Sequence, residues 1–217
     1  MDNVIQEKVN QWLTGNYDQE TKDAIIKMQA ENPSELTESF YQSLEFGTGG
    51  LRGIMGVGTN RMNKYTVGMA TQGYANYLKI CYPNDVVKVA IAHDSRNNSR
   101  FFAETTANVF AANGIRVFLF ESLRPTPELS FAIRTLGCSG GVVCTASHNP
   151  KEYNGYKAYW NDGSQLVPPH DKNVIKEVEK IQSVDDVKWN GGEENIEIIG
   201  SELDEKYFQM VKNLSVY

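Results

Sequence analysis

Apolar residues in the first 45 positions recur at helical spacing. The first segment places them at i, i+4, i+7 and i+8, namely Ile5, Val9, Trp12 and Leu13. A second segment begins near Asp18, and a third begins at Pro33, with Ser34 as a candidate N-cap and apolar positions as far as Leu44. The pattern predicts three N-terminal helices that pack around the rest of the chain and carry no chemistry.

Helical and strand patterns alternate from residue 65 onward. The predicted elements are a helix over 65–82, a strand over 86–92, a helix ended by Gly114, a strand over 115–120, a helix through Leu136 and a strand leading to Ser147. Consecutive β/α units place the loops 93–96, 121–127 and 145–150 at strand carboxyl ends. These loops should therefore share one edge of a mainly parallel sheet, and that edge is the predicted crevice.

The remaining segment predicts fewer elements. Residues 158–166 form a strand, an Asp-Gly turn and a short strand, which favours an antiparallel hairpin at the edge of the sheet. A helix over 171–181 and a loose stretch over 182–194 follow, and Ser201 and Asp204 have the spacing of a capping box. We expect an α/β fold, a three-layer α/β/α domain with a mixed, mostly parallel sheet between helices over residues 1–190. Residues 191–217 are then expected to be a linker and the first helix of a following domain, so that the sequence stops as another domain begins.

Composition narrows the class of protein. The chain has 217 residues, 41% of them hydrophobic and 22% charged, with a net charge of −6. This balance suits one globular domain and argues against a nucleic-acid-binding surface. No apolar run approaches the roughly 18 residues of a membrane helix. The three cysteines, Cys81, Cys138 and Cys144, lack paired zinc spacing, so we expect free thiols, packed in the core at 138 and 144, and a cytoplasmic protein.

The loop over 145–150 carries the strongest candidate chemistry. Ser147 follows a β-branched run and is expected at a strand's carboxyl end, with the imidazole of His148 beside it. Lys157 is expected to return toward it after a turn at Asn154-Gly155. The alternative is that Ser147 only caps a turn and that Lys157 is a solvated surface cation.

A glycine-rich run over 46–58 surrounds Arg52. Glycines let the backbone approach a ligand closely, and a guanidinium supplies a planar, two-pronged phosphate clamp. The alternative is a glycine-kinked strand in which Arg52 makes a structural ion pair.

Both motifs resemble those of a known enzyme family. Thr145-Ala-Ser-His-Asn-Pro150 followed by Tyr153-Asn-Gly-Tyr-Lys157 resembles the active-serine loop of the α-D-phosphohexomutases, which include phosphoglucomutase and phosphomannomutase. The glycine-rich run, continued by Thr59-Asn-Arg-Met-Asn63, resembles the first signature of the branch with phosphopentomutase-like and bacterial phosphoglucomutase-like members. Asp94 and Arg96 resemble an Asp-x-Arg element that braces the serine loop, although a loop salt bridge is our preferred interpretation of that pair.

The resemblance implies that the chain is the N-terminal domain I of a mutase that interconverts hexose 1-phosphate and hexose 6-phosphate. Ser147 would carry the phosphoryl group as phosphoserine, and Arg52, His148 and Lys157 would be the other catalytic residues. The implied phosphate-binding residues are Arg52, Thr145, Ser147, His148, Asn149 and Lys157. The implied partners are a sugar phosphate substrate and the other domains of the same protein, with neither nucleic acid nor membrane.

The resemblance also implies two cofactors. One is Mg²⁺, bound in this chain only through the phosphate on Ser147, because the family's Asp-x-Asp-Gly-Asp-Arg metal loop is absent from these residues. The other is glucose 1,6-bisphosphate, or an equivalent sugar bisphosphate, as activator. The chain alone is therefore expected to be inactive.

Other functions remain open at this point. The chain could bind or sense a phosphosugar without converting it, could belong to a phosphopentomutase, or could be a serine hydrolase. The last is disfavoured because Ser147 lacks a Gly-x-Ser-x-Gly elbow. His93 could act as a base, but packing or a loop hydrogen bond is the preferred role. The residues do not indicate which sugar is bound or which oligomer forms.

Overall fold

The structure, a computed structural model, describes residues 2–216, within which helices and strands alternate. The helices are α1 (Asn3–Thr14), α2 (Gln19–Glu31), α3 (Pro33–Phe40), α4 (Lys64–Cys81), α5 (Ser99–Ala112), α6 (Thr126–Thr135), α7 (His170–Glu179) and α8 (Ser201–Asn213). The strands are β1 (Gly50–Ile54), β2 (Lys88–His93), β3 (Arg116–Phe120), β4 (Gly140–Cys144), β5 (Tyr153–Trp160) and β6 (Ile196–Ile199).

One mixed sheet holds all the strands that the description covers, in the order β1-β5-β4-β2-β3-β6. The pairs β4–β2, β2–β3 and β3–β6 are parallel, whereas β5 runs antiparallel to both β1 and β4. The loops after β2, β3 and β4 consequently lie on one edge, because parallel strands end on the same side. The predicted crevice edge is therefore present.

Helices cover both faces of the sheet. On one face α4, α5 and α7 supply Tyr74, Phe110 and Val174 to the larger core cluster. On the other face α6 and α8 supply Ile133 and Leu203 to a second cluster. Every residue of β4 is buried, as expected for a strand covered on both faces. These layers confirm the predicted three-layer α/β/α fold.

The N-terminal helices pack against the start of α4. Trp12, Phe40 and Tyr65 meet edge to face, with ring centroids 5.4 and 5.7 Å from Trp12. The helix α2 begins next to Asp18 as predicted, and the Asp18 side chain caps it by accepting from the amide of Thr21. The helix α3 begins at Pro33 as predicted, but its N-cap is Asn32 rather than Ser34, with the Asn32 side chain accepting from the amide of Glu35, and it ends at Phe40 rather than near Leu44.

Two predictions for the second half of the chain were also wrong, and a third was correct only in part. Asn154 and Gly155 do not form a turn but lie inside β5, paired with Gly53 and Arg52 of β1. Residues 158–166 do form the predicted antiparallel hairpin, since Tyr159 bridges Gln165 and the amide of Trp160 donates to the carbonyl of Ser164 at 2.8 Å. Its first strand is not at the edge of the sheet, however, because β5 is flanked by β1 and β4. Ser201 is the first residue of α8 rather than its cap, which is Gly200.

The expected boundary between residues 190 and 191 does not coincide with a break in the sheet. Ile196–Ile199 pairs in parallel with β3, and Leu203 of α8 is buried against α6. A second contact joins α8 to α6, since Tyr207 packs on Phe131 at a centroid distance of 5.5 Å. A following domain stays a prediction. Among residues 2–216 no helix is both long enough and apolar enough to cross a membrane.

Candidate active site

The loop after β4 presents one serine to solvent. Thr145 and Ala146 are buried, whereas Ser147 and His148 are exposed. Ser147 has a φ of 57°, the left-handed region that is costly for residues other than glycine. Its amide donates to Oγ1 of Thr145 at 3.1 Å. The loop therefore holds Ser147 in a strained conformation at the carboxyl edge of the sheet.

The imidazole of His148 lies next to the serine hydroxyl. Its Nδ1 is 3.3 Å from Oγ of Ser147, and the direction of the hydrogen bond depends on which ring nitrogen carries the proton. An imidazole at this distance can accept the hydroxyl proton or return it.

Arg96 holds the loop from the neighbouring strand end. Its Nη1 and Nη2 donate to four backbone carbonyls, those of Ser147, Asn149, Pro150 and Tyr153, at 2.6 to 3.2 Å. Nε of Arg96 lies 3.5 Å from Oδ2 of Asp94. Arg96 thus makes the loop salt bridge that we preferred and also braces the serine loop.

Arg52 and Lys157 lie on the same face of the sheet. Arg52 is opposite Gly155, and Lys157 is opposite Gly50, in the antiparallel β1–β5 ladder. Residues directly opposite each other point to one face, as do residues two apart on a strand. Nη1 of Arg52 donates to Oδ1 of Asn149 at 3.1 Å, which joins β1 to the serine loop.

The electrostatics of Lys157 match this placement. Burial lowers the pKa of Lys157, and the charge of Arg52 lowers it further, while Asp94 acts in the opposite direction. Its ammonium is therefore easier to deprotonate than a solvated lysine, and a bound anion would restore its pKa.

A cleft of 740 Å³ adjoins these two cations. Arg52, Lys157, Tyr153, Gln165 and the turn 47–50 contribute to its walls. Ser147 and His148 are not among the lining residues. The structure therefore brings Arg52 and Lys157 into one cleft and connects that cleft to the serine loop through Asn149.

The other candidate residues have structural positions. Nδ1 of His93 is 2.9 Å from the carbonyl of Asp94, which is the loop hydrogen bond that we preferred. Burial raises the pKa of the Cys138 thiol to about 12 and also raises that of Cys144. Both are buried free thiols that are not nucleophiles at neutral pH, which fits their expected packing role.

The residues between 2 and 216 do not form a Mg²⁺ site by themselves. No group of three histidine, cysteine, aspartate or glutamate side chains is arranged to hold a metal ion in this part of the chain. The carboxylate of Asp94, near the loop, already forms an ion pair with Arg96 and accepts a hydrogen bond from the hydroxyl of Ser99. The phosphate that we predict on Ser147 would supply only one ligand to a metal ion.

Sequence reasoning missed two polar residues behind the loop. Asn154 and Ser99 are both completely buried, and the amide of Asn154 donates to Oγ of Ser99 at 2.9 Å. Asn154 was predicted to lie in a turn because the Asn-Gly dipeptide is a strong turn signal. No pattern in the sequence singles out Ser99.

The comparisons with known proteins agree on one family. Residues 43–185 match the family model described as "Phosphoglucomutase/phosphomannomutase, alpha/beta/alpha domain I". The chain is 42% identical to a probable phosphoribomutase of Schizosaccharomyces pombe over 83% of this chain and 31% of that protein. It is 39% identical to the phosphopentomutase of Homo sapiens, over 81% and 30%. It is 36% identical to a phosphoglucomutase of Staphylococcus epidermidis, over 94% and 37%.

Solved structures show the same fold. A putative phosphomannomutase from Thermus thermophilus superposes with a TM-score of 0.67 at 28% identity, over 79% of this chain and 36% of that one. A phosphoglucomutase from Paramecium superposes with a TM-score of 0.64 at 20% identity, over 81% and 36%. The chain spans about a third of the length of the curated relatives it matches.

Proposed function

Because the chain belongs to the phosphoglucomutase/phosphomannomutase family, we propose that it is the phosphoryl-carrying domain of a phosphosugar mutase. The reaction interconverts a hexose 1-phosphate and a hexose 6-phosphate through a sugar bisphosphate. The observation that best supports the proposal is the conformation of Ser147, which is exposed at the sheet edge and held at a φ of 57°. Strained, over-determined backbone of this kind clusters at functional sites.

The proposed step is a phosphoryl transfer. Oγ of Ser147 attacks a phosphorus of the bisphosphate, an Oγ–P bond forms, and the bond between that phosphorus and the sugar oxygen breaks. The hydroxyl proton passes to Nδ1 of His148, and the departing sugar oxygen takes up a proton from solvent. The reverse transfer from phosphoserine to the other sugar position completes the exchange.

Arg52 and Lys157 supply positive charge. Phosphoryl transfer depends mainly on placement and on cancelling charge on the equatorial oxygens. A guanidinium and an ammonium on one face, next to the loop, suit that requirement. Thr145 and Asn149 would hold the loop around the phosphate.

Pentose phosphates are the second candidate substrates. Relatives named for pentose and ribose mutases share 39% and 42% identity, and one named phosphoglucomutase shares 36%. The hexose assignment therefore stays a prediction. We also propose a cytoplasmic location, which the free thiols favour.

The test is to incubate the chain with radiolabelled glucose 1,6-bisphosphate or ribose 1,5-bisphosphate and to map the label by peptide mass. One phosphate on Ser147 is expected, taken up in a single slow transfer rather than in repeated turnover, and the sugar that labels faster identifies the substrate class. Label mapped to Ser139 or Ser164 would contradict the assignment. Covalent capture by a serine-reactive phosphonate, without phosphate uptake, would favour a hydrolase instead.

A further inference from the structure

A line of polar contacts, buried where it starts, connects β5 to the serine loop. It begins at Asn154, which is 0% exposed. The Nδ2 group of Asn154 donates to the carbonyl of Asn97 and to Oγ of Ser99, both at 2.9 Å. Its Oδ1 accepts the amide of Gly155 at 2.7 Å. The contacts with Ser99 and Gly155 are buried, where water does not compete for them, and the contact with Asn97 is partly buried.

The neighbours of Asn154 fix the orientation of its amide. The Gly155 N–H is a donor and the Asn97 carbonyl is an acceptor, so exchanging Oδ1 and Nδ2 would bring like groups together at both ends. The hydroxyl of Ser99 must then accept from Asn154, which leaves its single proton free to donate elsewhere.

That proton is directed at Asp94. Oγ of Ser99 donates to Oδ1 of Asp94 at 2.6 Å, and the same oxygen accepts the amide of Arg96 at 2.9 Å. The other carboxylate oxygen lies 3.5 Å from Nε of Arg96. The carboxylate is thereby held from one side by Ser99 while it orients the guanidinium from the other.

The orientation of Arg96 matters because its two Nη groups reach four carbonyls at once. These carbonyls belong to residues 147, 149, 150 and 153, on both sides of Pro150. A planar fork meets such a set of acceptors from one direction only. A residue held at positive φ also requires surroundings that over-determine its conformation.

We propose that Ser99 and Asn154 are positioning residues for phosphoryl transfer, acting through Asp94 and Arg96 to hold Ser147 in its left-handed conformation. The proposal rests on the proposed function. Neither residue touches the phosphate, and their effect is to present Oγ of Ser147 to the incoming phosphorus. We call the contacts from Asn154 through Ser99 and Asp94 to Arg96 the relay. When the relay is broken, the loop samples other conformations, and the hydroxyl of Ser147 points at the phosphorus for a smaller share of the time.

The primary variant is Ser99→Ala, which removes one oxygen from α5. The matched control is Thr106→Val, which removes another buried hydroxyl of α5 whose bond goes to the carbonyl of Phe102 in the same helix. Asn154→Ala cuts the relay one step earlier. Each chain is examined by ¹⁵N relaxation of the Ser147 and His148 amides and by the rate at which glucose 1,6-bisphosphate phosphorylates Ser147.

In Ser99→Ala we expect the order parameters of Ser147 and His148 to fall from about 0.85 to below about 0.6, while the control stays rigid. The rate at saturating bisphosphate should drop at least about tenfold, with the half-saturating concentration unchanged within about threefold, because transfer is impaired and phosphate binding is not. Asn154→Ala should behave in the same way.

Two results would overturn the proposal. One is a rigid loop and an unchanged transfer rate in both variants. The other is loss of the whole fold in Ser99→Ala but not in Thr106→Val, since the hydroxyl would then serve global stability. If the unmodified chain takes up no phosphate, the proposed function fails, and the relaxation data still decide whether Ser99 and Asn154 hold the loop.

Discussion

Arg124 and Asp204 form a bidentate ion pair in which Nε and Nη2 each lie 2.7 Å from a carboxylate oxygen. The pair fastens α8 to the loop after β3. Arg124 is also 4.0 Å from Oε1 of Glu128 and 3.4 Å from Oε1 of Glu121. Three carboxyl groups therefore share one guanidinium.

Glu128 makes stability depend on pH. Burial, together with hydrogen bonding to Asp204 and the charge of Asp204, raises the pKa of Glu128 from 4.5 to about 7, although Arg124 opposes the shift. Glu121 adds further negative charge, and the N-terminus of α6 favours the ionised form. Between these two pKa values Glu128 holds a proton in the folded chain that it releases in the unfolded chain. Its contribution to the free energy of unfolding is therefore fully present below pH 4.5 and is lost as pH rises through about 7.

Urea unfolding at pH 5, 6, 7 and 8 tests this dependence. We expect the free energy of unfolding to fall by about 2 to 3 kcal/mol across the range, since each pKa unit corresponds to about 1.4 kcal/mol. Glu128→Gln should flatten the curve, and Glu202→Gln, in the exposed pair with Lys206, should leave it unchanged. An identical slope in wild type and Glu128→Gln would contradict the prediction.

Gly155 is required by the close approach of β5 to the serine loop. A Cβ at this position would lie 2.6 Å from the carbonyl oxygen of Thr145 and 3.0 Å from that of Leu51. Gly155→Ala should therefore destabilise the chain by about 2 to 4 kcal/mol, because backbone must move to admit the methyl group.

The matched control is Gly47→Ala, whose Cβ would meet only the Gly50 oxygen, at 3.9 Å. That change should alter stability by less than about 1 kcal/mol. Thermal and urea denaturation of both variants provide the measurement. Equal effects at the two positions would show that the contact with Thr145 is not restrictive.

Ser147→Gly should separate strain from chemistry. Glycine adopts positive φ without cost, so relief of strain should raise the free energy of unfolding. The larger conformational entropy of glycine in the unfolded chain offsets part of this gain, which leaves a net increase of about 0.5 to 1 kcal/mol. Phosphate uptake should be abolished because the hydroxyl is gone. Ser139→Gly, which changes a serine outside this loop, should leave uptake intact. A less stable Ser147→Gly chain would argue against strain at this position.

Arg52 and Lys157 are expected to bind phosphate together. Arg52→Met or Lys157→Met should weaken binding of glucose 1-phosphate by about tenfold or more, since each removes one charged contact worth about 1.5 to 3 kcal/mol. Lys151→Met, which removes an exposed charge from the serine loop, is the control. Isothermal titration calorimetry measures all three. Equal affinity in the control and in either site variant would exclude that residue from the phosphate site.

The 217-residue chain is expected to show no mutase turnover. Residues 2–216 contain no cluster of three histidine, cysteine, aspartate or glutamate side chains placed to hold a metal ion, and loss of metal charge stabilisation costs several kcal/mol in a transition state. The check is a coupled assay with glucose 1-phosphate, its 1,6-bisphosphate and Mg²⁺. Turnover of about 1 s⁻¹ or more would contradict the prediction.

Local sequence patterns predicted the layers of the domain and the place of its chemistry. The alternation of buried strand runs and helical stripes between residues 65 and 147 is a short-range property, and it was sufficient to put the loops 93–96 and 145–150 on one sheet edge. The glycine-rich run and the Ser147 loop were recognisable for the same reason, because each motif is contiguous in the chain.

Pairing between distant segments decided the rest. Asn154-Gly155 has turn propensity, yet pairing with β1 on one side and a hydrogen bond from the amide of Thr145, just after β4, on the other hold it as an interior strand. Tertiary contacts thus override a local preference of about 1 kcal/mol. Asp204 likewise has the spacing of a helix cap but binds Arg124, 80 residues away. The relay from Asn154 to Ser99 also exists only after the sheet has formed, because it joins groups that no local pattern connects.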